Sequence, residues 1–381
     1  MGAYLDHNAT TPLDTRVLEE MLPFLQRRHG NPSSLHRHGR IARQAVEQAR
    51  EQVAELVNAH PSEVMFTSGG TEANNLAITG FRVRHPSIPV LCSAIEHASV
   101  LEPVSHCQPA SGGVLPVDEA GRLLLPALAA RLESNRHLVS VMMANNETGV
   151  IQDIRTISAV VRDHHSWLHC DAVQAAGKMV VDFHDCGAHL MSISAHKVYG
   201  PQGVGALIHD RTVELTPLLE GGDQEAGLRA GTENVAAIVG FGRAAELARQ
   251  ELDLRRQQMA GLRERLEQRL NALSGVRIFA QQAERLANTV CFAVPGFEGE
   301  SLLMTLDECG FAVSSGSACH SQRHEPSHVL LAMGIDRTLA SRAIRVSIGQ
   351  DTRARDIDDF VDCLRQQLSS PATMLASAWA S

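Results

Sequence analysis

The stretch Ser194–Pro201, with the sequence Ser-Ala-His-Lys-Val-Tyr-Gly-Pro, directly follows the short apolar run Leu190–Ile193. This run has the length and composition of a buried strand, and the Gly-Pro pair beyond it predicts a turn. Lys197 therefore lies just past the carboxyl end of a strand. Open α/β sheets bind their ligands at that edge. The stretch predicts an α/β fold with a site at the strand ends.

Similar strands are predicted on both sides of this stretch. The candidate strands are Val64–Phe66, Pro89–Cys92, Leu138–Met143, Trp167–His169, Leu190–Ile193 and Val204–Ile208, with helical patterns at 72–83, 97–106 and 153–165 between them. Alternation of strands and helices over this length predicts a mostly parallel sheet with helices on both faces.

The second half of the chain predicts a smaller α/β unit. A long helical stretch from about 235 to 272 forms either one bent helix or two helices. Strands at 276–279, 289–294, 311–314 and 343–348 then alternate with helices at 300–309, 326–333 and 356–368. We expect a large domain over 15–255 and a small domain built from 1–14 and 256–381.

Composition narrows the class of protein. The formal net charge is -9, and the basic stripe that a nucleic-acid binder needs is missing. No apolar run approaches the roughly 20 residues of a membrane span, and the first residues do not resemble a leader peptide. The eight cysteines lie far apart without a CxxC pair, which suits a reducing compartment. We expect a soluble, cytoplasmic protein whose cysteines are mostly buried.

Lysine is rare in this sequence. Only Lys178 and Lys197 occur, and every other cationic side chain is arginine. Arginine cannot form a Schiff base, so a lysine at a strand end indicates a group that holds an aldehyde cofactor. A surface lysine in a loop is the alternative. Lys178, in contrast, resembles an ordinary residue at the entry to a strand.

Three further motifs follow predicted strands. Asp171 ends the run after Trp167, 26 residues before Lys197, where its carboxylate can face a protonated pyridine nitrogen or cap a helix. The glycine-rich segment 67–75 predicts a phosphate cradle at a helix start. His97 can stack on a cofactor ring and move protons, although a single histidine is more often structural.

Two motifs in the second half point to substrate chemistry. Cys319 follows Ser314–Ala318, a run of small residues that leaves a thiol exposed and nucleophilic. Arg345 lies inside an apolar strand and needs an anionic partner, either a substrate carboxylate or a structural salt bridge. With His328, the basic loop 320–324 is a weak candidate for a metal site, and we expect no metal.

In their joint order, these motifs resemble the cysteine desulfurases of the subgroup with the Ser-Ser-Gly-Ser-Ala-Cys motif. The resemblance extends from Tyr4 to about residue 366 and includes Ala9–Pro12, Gly30–Ser34, Asn145–Gly149, the Lys197 motif, Arg229–Asn234 and Glu325–His328. It departs from the family at Asp223 and Ala226, where other residues are usual, which puts local loop and dimer contacts in doubt.

The resemblance implies a fold, a cofactor and a set of residue roles. The fold would be the aspartate-aminotransferase-like type of pyridoxal 5'-phosphate enzyme, with a seven-stranded sheet, working as a homodimer. The cofactor would be held by Gly70, Thr71, His97, Asn146, Asp171, Gln174, Ser194, His196 and Lys197, with Thr232 arriving from the other subunit. Asn31, Asn146 and Arg345 would bind the substrate, and Lys197, His97 and Cys319 would be catalytic.

The implied reaction removes sulfur from L-cysteine, releases alanine and leaves a persulfide on Cys319 for an acceptor protein. Iron–sulfur assembly, RNA thiolation and DNA sulfur modification all stay open as its destination. A selenocysteine lyase or another enzyme of the same fold is one alternative. A non-catalytic sulfur-relay or scaffold protein is the other. No direct contact with nucleic acid or membrane is expected.

Overall fold

A computed structural model describes residues 2–107, 113–294, 296–315 and 325–369. Within these ranges the strands are β1 (Ala3–Tyr4), β2 (Val64–Thr67), β3 (Val90–Ser93), β4 (Val114–Leu115), β5 (Leu138–Met142), β6 (Trp167–Asp171), β7 (Leu190–Ser194), β8 (Gly205–His209), β9 (Arg277–Ile278), β10 (Thr289–Ala293), β11 (Phe311–Ala312), β12 (Ser314–Ser315) and β13 (Ala343–Ser347).

The helices of the same ranges connect and cover these strands. They are α1 (Thr15–Gln26), α2 (Arg37–Leu56), α3 (Gly70–Asn75), α4 (Phe81–Arg84), α5 (Ala98–Cys107), α6 (Leu125–Leu132), α7 (Ile154–Asp163), α8 (Phe183–Cys186), α9 (Val235–Gln250), α10 (Leu252–Asn271), α11 (Gly299–Glu308), α12 (His328–Ala332), α13 (Arg337–Ala340) and α14 (Ala354–Leu368). A π-helical turn, Leu76–Gly80, joins α3 to α4. None of these described helices is long and apolar enough to cross a membrane.

The large sheet has seven strands in the order β2-β8-β7-β6-β5-β3-β4. Pairing is parallel from β7 to β4, whereas β8 runs antiparallel to both β2 and β7. Every residue of β5 and β7 is buried, as expected for parallel strands covered on both faces. The mostly parallel seven-stranded sheet predicted from the sequence is confirmed.

The parallel register brings the candidate site residues to one edge. Met142 pairs with Asp171, and Asp171 pairs with Ser192 on β7. The carboxyl ends of three neighbouring strands therefore lie side by side. Lys197 follows the third of them in a single turn of 3-10 helix. Asp171 and Lys197 thus leave the sheet at the same edge, as the sequence predicted.

The long helical stretch after the large sheet is two helices, α9 and α10, that meet at Glu251. The first packs against α2 so closely that a Cβ at Gly242 would lie 2.6 Å from the Ala49 Cα atom. Only glycine permits this approach of two helix backbones. Buried residues of α9 join the core around the seven-stranded sheet. Those of α10 join a second core.

This second core surrounds a four-stranded antiparallel sheet in the order β12-β13-β10-β9. Leu5 from the start of the chain lies inside it, because β1 pairs with β11. The predicted single strand over 311–314 is wrong. Its two halves pair with different partners, β11 with β1 and β12 with β13, so the chain changes sheets between them. The expected domain boundaries stay a prediction.

Candidate active site

A cavity of about 360 Å³ opens at the carboxyl edge of the large sheet. Ten of the predicted site residues line it: Gly70, Thr71, His97, Asn146, Asp171, Gln174, Ser194, His196, Lys197 and Arg345. Its volume lies in the range of small-molecule sites. A wider surface depression of about 940 Å³, near the loop with Asp223 and Ala226, contains none of the predicted site residues. The smaller cavity is therefore the candidate site.

Two of the predicted residues, Asn31 and Thr232, are not among those that line this cavity. Asn31 is exposed, and its side chain accepts a hydrogen bond from the Ser33 backbone at 2.9 Å. Thr232 lines a separate recess together with Thr67 and Arg229. Cys319 lies outside the described residues. The cavity thus collects most of the predicted set from one chain, and the roles of all the predicted site residues stay predictions.

Lys197 is fixed by the segment that leads into α1. Its Nζ atom donates to the backbone carbonyls of Asn8 at 2.6 Å and Ala9 at 2.7 Å. The segment itself is held to the lysine turn, because the Thr11 N–H donates to the His196 carbonyl at 3.0 Å. The amine is therefore part of the cavity wall, which excludes the alternative of a loose surface lysine.

Asp171 is a buried carboxylate with uncharged donors. It is 5% exposed and accepts from the Asn74 side chain at 2.7 Å and from the Val173 N–H at 3.0 Å. No helix begins here, so the alternative role as a helix cap is wrong. Since both of these donors are neutral, a cationic ring nitrogen would supply the missing opposite charge. Sequence reasoning missed Asn74, although it lies in the glycine-rich motif.

The opposite end of the cavity suits a phosphate. Helix α3 begins at Gly70, where a Cβ would lie 2.8 Å from a Val173 methyl group. The buried Ser194 hydroxyl has no hydrogen-bond partner among the described residues. Burial, reinforced by Lys197, lowers the pKa of His196 to about 4, so its ring is neutral at pH 7. Backbone amides, a hydroxyl and a neutral imidazole are suitable phosphate donors.

His97 is connected to Asp171 through two polar side chains. Its Nδ1 atom lies 2.7 Å from the Ser99 hydroxyl, and the same hydroxyl accepts from Asn74 at 2.9 Å. Asn74 in turn donates to Asp171. The imidazole on the cavity wall and the carboxylate at the strand end therefore belong to one hydrogen-bonded chain, which restrains the orientation of the ring.

Arg345 lies on the cavity wall and is only 3% exposed. It pairs with Asp6 at 2.6 Å and donates to the Asn146 carbonyl at 3.1 Å. The structural salt bridge named as an alternative is therefore formed. Because the guanidinium also borders the cavity, a substrate carboxylate remains a second candidate partner for it.

Two buried carboxyl groups that sequence reasoning missed belong to residues next to cavity residues in the chain. Burial raises the pKa of Glu96 to about 8, although the carboxyl accepts from Ser93 and from the Met142 N–H. Burial also raises the pKa of Glu147 to about 7, with a hydrogen bond from the Ser327 hydroxyl opposing the shift. Glu96 and Glu147 directly adjoin His97 and Asn146 in the chain, which is the signal that could have found them.

The expectations for lysine and cysteine had mixed outcomes. The interpretation of Lys178 as a strand entry is wrong, because the described residues between β6 and β7 form no strand. Its side chain is buried and hydrogen-bonded to Gln174 and Asn8. Among the cysteines whose burial the structure describes, Cys92, Cys170, Cys186, Cys291 and Cys363 are buried, as expected. Cys309, directly after α11, is the one exposed cysteine in that described set, which agrees with the expectation that most are buried.

Comparison with known proteins places the chain in a family. A family model described as aminotransferase class-V matches residues 3–360. The chain belongs to the class-V aminotransferases. Within this family it is 41% identical over 376 residues to the cysteine desulfurase IscS of Dictyoglomus turgidum, which covers 97% of this chain and 95% of the relative. It is 44% identical over 367 residues to a cysteine desulfurase of Cereibacter sphaeroides, with 95% and 94% covered.

A solved structure of a similar protein has the same fold. A NifS-like protein from Rickettsia africae superposes with a TM-score of 0.90 at 34% identity, covering 97% of this chain and all of the other. The resemblance and the fold class predicted from the sequence are confirmed. Cysteine desulfurases of this family depend on pyridoxal 5'-phosphate, which confirms the predicted cofactor. The buried Asp171 fits the ring nitrogen of this cofactor. The Ser194 hydroxyl, which has no hydrogen-bond partner among the described residues, fits its phosphate.

Proposed function

We propose that this protein is a cysteine desulfurase that converts L-cysteine to L-alanine and keeps the sulfur as a persulfide on Cys319. The observation that best supports the proposal is the single cavity lined by Lys197, Asp171 and eight further residues predicted for this chemistry. Membership in the class-V aminotransferases and the names of the relatives agree with it.

The cavity residues divide into groups that hold different parts of the cofactor. Asp171 would pair with the ring nitrogen, Gln174 with the ring hydroxyl, and His97 would stack on the ring beside Asn146. Gly70, Thr71, Ser194 and His196 would hold the phosphate. When bound, pyridoxal 5'-phosphate supplies an aldehyde for the Lys197 amine and a ring that accepts electrons from the substrate Cα.

The chain's own groups would then position the substrate and move its protons. Arg345 would bind the substrate carboxylate bidentately, with Asn31 nearby, and would exchange its Asp6 contact for this second anion. Lys197, once displaced by the substrate amine, would take the proton from the substrate Cα. The neighbouring Asn8 and Ala9 carbonyls, which now accept from its Nζ atom, keep that amine at the cavity wall.

The sulfur step belongs to Cys319. Its thiolate would attack the substrate sulfur, so that an S–S bond forms as the Cβ–S bond breaks. The electron pair of the broken Cβ–S bond stays with the substrate carbon. Cβ then takes up a proton and becomes the methyl group of alanine. The thiolate is the reactive form, since a thiol attacks poorly. The persulfide would then pass to an acceptor protein.

We extend the proposal to assembly and location. The protein would work as a cytoplasmic homodimer in which Thr232 of one subunit completes the phosphate site of the other. Its position in a recess apart from the cavity of its own chain supports this arrangement. The division into a large domain over 15–255 and a small domain from 1–14 and 256–381 is part of the same proposal.

Two substitutions test the function. Lys197→Arg keeps the charge but removes the amine that joins the aldehyde, so we expect it to lose the visible absorbance of the bound cofactor and all alanine production. Cys319→Ser should keep the absorbance, release no alanine at a useful rate, and show no added sulfur on the loop peptide by mass spectrometry.

Cys309 provides a matched control, because it is an exposed cysteine directly after α11 and is not among the residues that line the cavity. Cys309→Ser should make alanine and persulfide like the wild type. Normal turnover in Lys197→Arg would refute the role of Lys197. Alanine production at the wild-type rate in Cys319→Ser would favour the lyase alternative, and a colourless, inactive wild type would favour the scaffold alternative.

A further inference from the structure

Lys178 is the only lysine besides Lys197, and it lies buried next to the candidate site. Its Nζ atom donates to the Gln174 side-chain carbonyl at 2.7 Å and to the Asn8 side-chain carbonyl at 2.9 Å. Both acceptors are neutral amide oxygens, and both residues line the cavity. The amine therefore connects two parts of the cavity wall that are distant in sequence.

The contact with Lys178 determines which end of the Gln174 amide is available as a donor. An amide has an acceptor oxygen on one side and a donor NH2 group on the other. Since Lys178 occupies the oxygen, the NH2 group lies on the other side and donates to the Asn8 backbone carbonyl at 3.0 Å. The reverse orientation would place two donors against each other.

That NH2 group lies beside the reactive lysine. The Asn8 backbone carbonyl that accepts from Gln174 also accepts from the Lys197 Nζ atom at 2.6 Å. A ligand oxygen that binds next to Lys197 would therefore meet the donor end of Gln174. The arrangement suits an anionic oxygen, because N–H donors stabilise negative charge.

Further hydrogen bonds fix the position of the Asn8 side chain. Its side-chain oxygen also accepts from Asn288 at 3.0 Å, and its side-chain nitrogen donates to Thr289 at 2.8 Å and to the Asn146 carbonyl at 3.1 Å. Asn8 is 1% exposed. Because the Asn8 side chain is fixed, its hydrogen bond also fixes the Lys178 amine. The Lys178 amine in turn fixes the Gln174 amide.

The donor role of Lys178 does not require a charge. Burial lowers the pKa of Lys178 well below its ordinary value, and the positive charges of Lys197 and Arg345 add to this effect. An uncharged amine retains two N–H bonds, which matches the two acceptors given above. Lys178 can therefore orient Gln174 in either protonation state, since a charged ammonium group has three N–H bonds.

We propose that Lys178 is a positioning residue that holds the Gln174 amide with its NH2 group toward the site, so that Gln174 donates to the ring oxygen of the bound cofactor. This inference rests on the proposed function, because that function supplies the ring oxygen. Donation stabilises negative charge on the oxygen, and the oxygen then holds a shared proton less firmly. Loss of the donor should raise the pH at which the visible absorbance of the cofactor changes.

A double-mutant cycle in the cofactor-loaded protein tests the proposal. Gln174→Leu and Lys178→Met should each raise the midpoint of the absorbance titration by roughly one pH unit, the scale of one hydrogen bond to a charged group. If Lys178 acts through Gln174, the double variant should match Gln174→Leu. Additive shifts, or an unchanged midpoint in Lys178→Met, would overturn the proposal.

Ser158→Ala serves as the stability control, because it removes a buried hydrogen bond of 2.9 Å to the Gly187 carbonyl, and Ser158 is not among the residues that line the cavity. It should lower the melting temperature and leave the titration midpoint unchanged. A Ser158→Ala midpoint that moved as far as that of Lys178→Met would mean that general destabilisation explains both, and would equally overturn the proposal.

The rarity of lysine allows a test that needs no Lys178 variant. Protein labelled with 13C at lysine Cε gives two signals, and Lys197→Arg identifies which is Lys178. We expect the Lys178 signal to shift in Gln174→Leu, because that substitution removes one of the two acceptors of the Lys178 amine. An unmoved signal would contradict the contact between the Lys178 amine and Gln174. A wild type that bound no cofactor would instead defeat the proposed function, whereas an active wild type with an unmoved signal would defeat this inference alone.

Discussion

Glu147→Gln should change the pH dependence of stability in a calculable way. The Glu147 carboxyl is buried, accepts a hydrogen bond from Ser327, and has its pKa raised from 4.5 to about 7 by burial. Glutamine keeps the size of the side chain and an acceptor oxygen for Ser327 but cannot ionise. The substitution therefore isolates the effect of placing this acid in the protein interior.

The sign follows from proton binding. Below pH 4.5 the carboxyl is protonated in both the folded and the unfolded chain, so burial of the acid has no ionisation cost. Between pH 4.5 and about 7 the unfolded chain loses the proton and the folded chain keeps it, so stability falls as pH rises. The difference between the two pKa values corresponds to about 3 kcal/mol. Above pH 7 the cost is constant.

Denaturant unfolding of the apoprotein at several pH values between 5 and 8 measures this effect. The wild type should lose roughly 2 to 3 kcal/mol relative to Glu147→Gln across that range, because part of the cost is already present at pH 5. Glu133→Gln, at an exposed position after α6, controls for the removal of a surface charge and should follow the wild type. A stability difference between Glu147→Gln and wild type that did not change with pH would refute the raised pKa.

Two further predictions concern the surface loop and the assembly. Ala226 has a left-handed backbone with φ of 58°, so Ala226→Gly should stabilise the protein by up to about 1 kcal/mol in thermal unfolding. Ala130→Gly, at an exposed position of α6, should destabilise it by a similar amount in the same measurement. The cofactor-loaded enzyme should sediment as a dimer, with Thr232→Ala still dimeric but weaker in cofactor binding; an active, loaded monomer would contradict the shared site.

Strand ends were the most predictable part of the molecule. Apolar runs that are buried on both faces are recognisable locally, and parallel strands place their carboxyl ends at one edge. The joint position of Asp171, Ser194 and Lys197 therefore followed from the sequence alone. The sequence left open whether 235–272 forms one bent helix or two helices, because the hydrophobic pattern continues through the break. Only the packing of α9 and α10 against different cores distinguishes them.

Buried polar partners were not predictable in this way. Asn8, Asn74 and Lys178 owe their roles to contacts across long sequence separations, such as the one between Lys178 and Asn8. The sequence gives no local pattern for such contacts. Strand pairing had the same limit at 311–315, since a short apolar run does not indicate which sheet it joins. The rarity of lysine was a usable signal for Lys178, but its setting suggested an ordinary strand entry.

The position of Asn8 has a consequence for biosynthesis. Its backbone N–H bonds to the Ser347 hydroxyl, 339 residues further along the chain, while its carbonyl holds the reactive lysine. At about 5–20 residues per second, a ribosome needs roughly 20 to 70 seconds between these two residues. Until β13 has been made, the cavity lacks Arg345, one of the residues that line it. Stable cofactor capture should therefore follow synthesis of β13, and a nascent chain stalled before residue 343 should bind pyridoxal 5'-phosphate poorly.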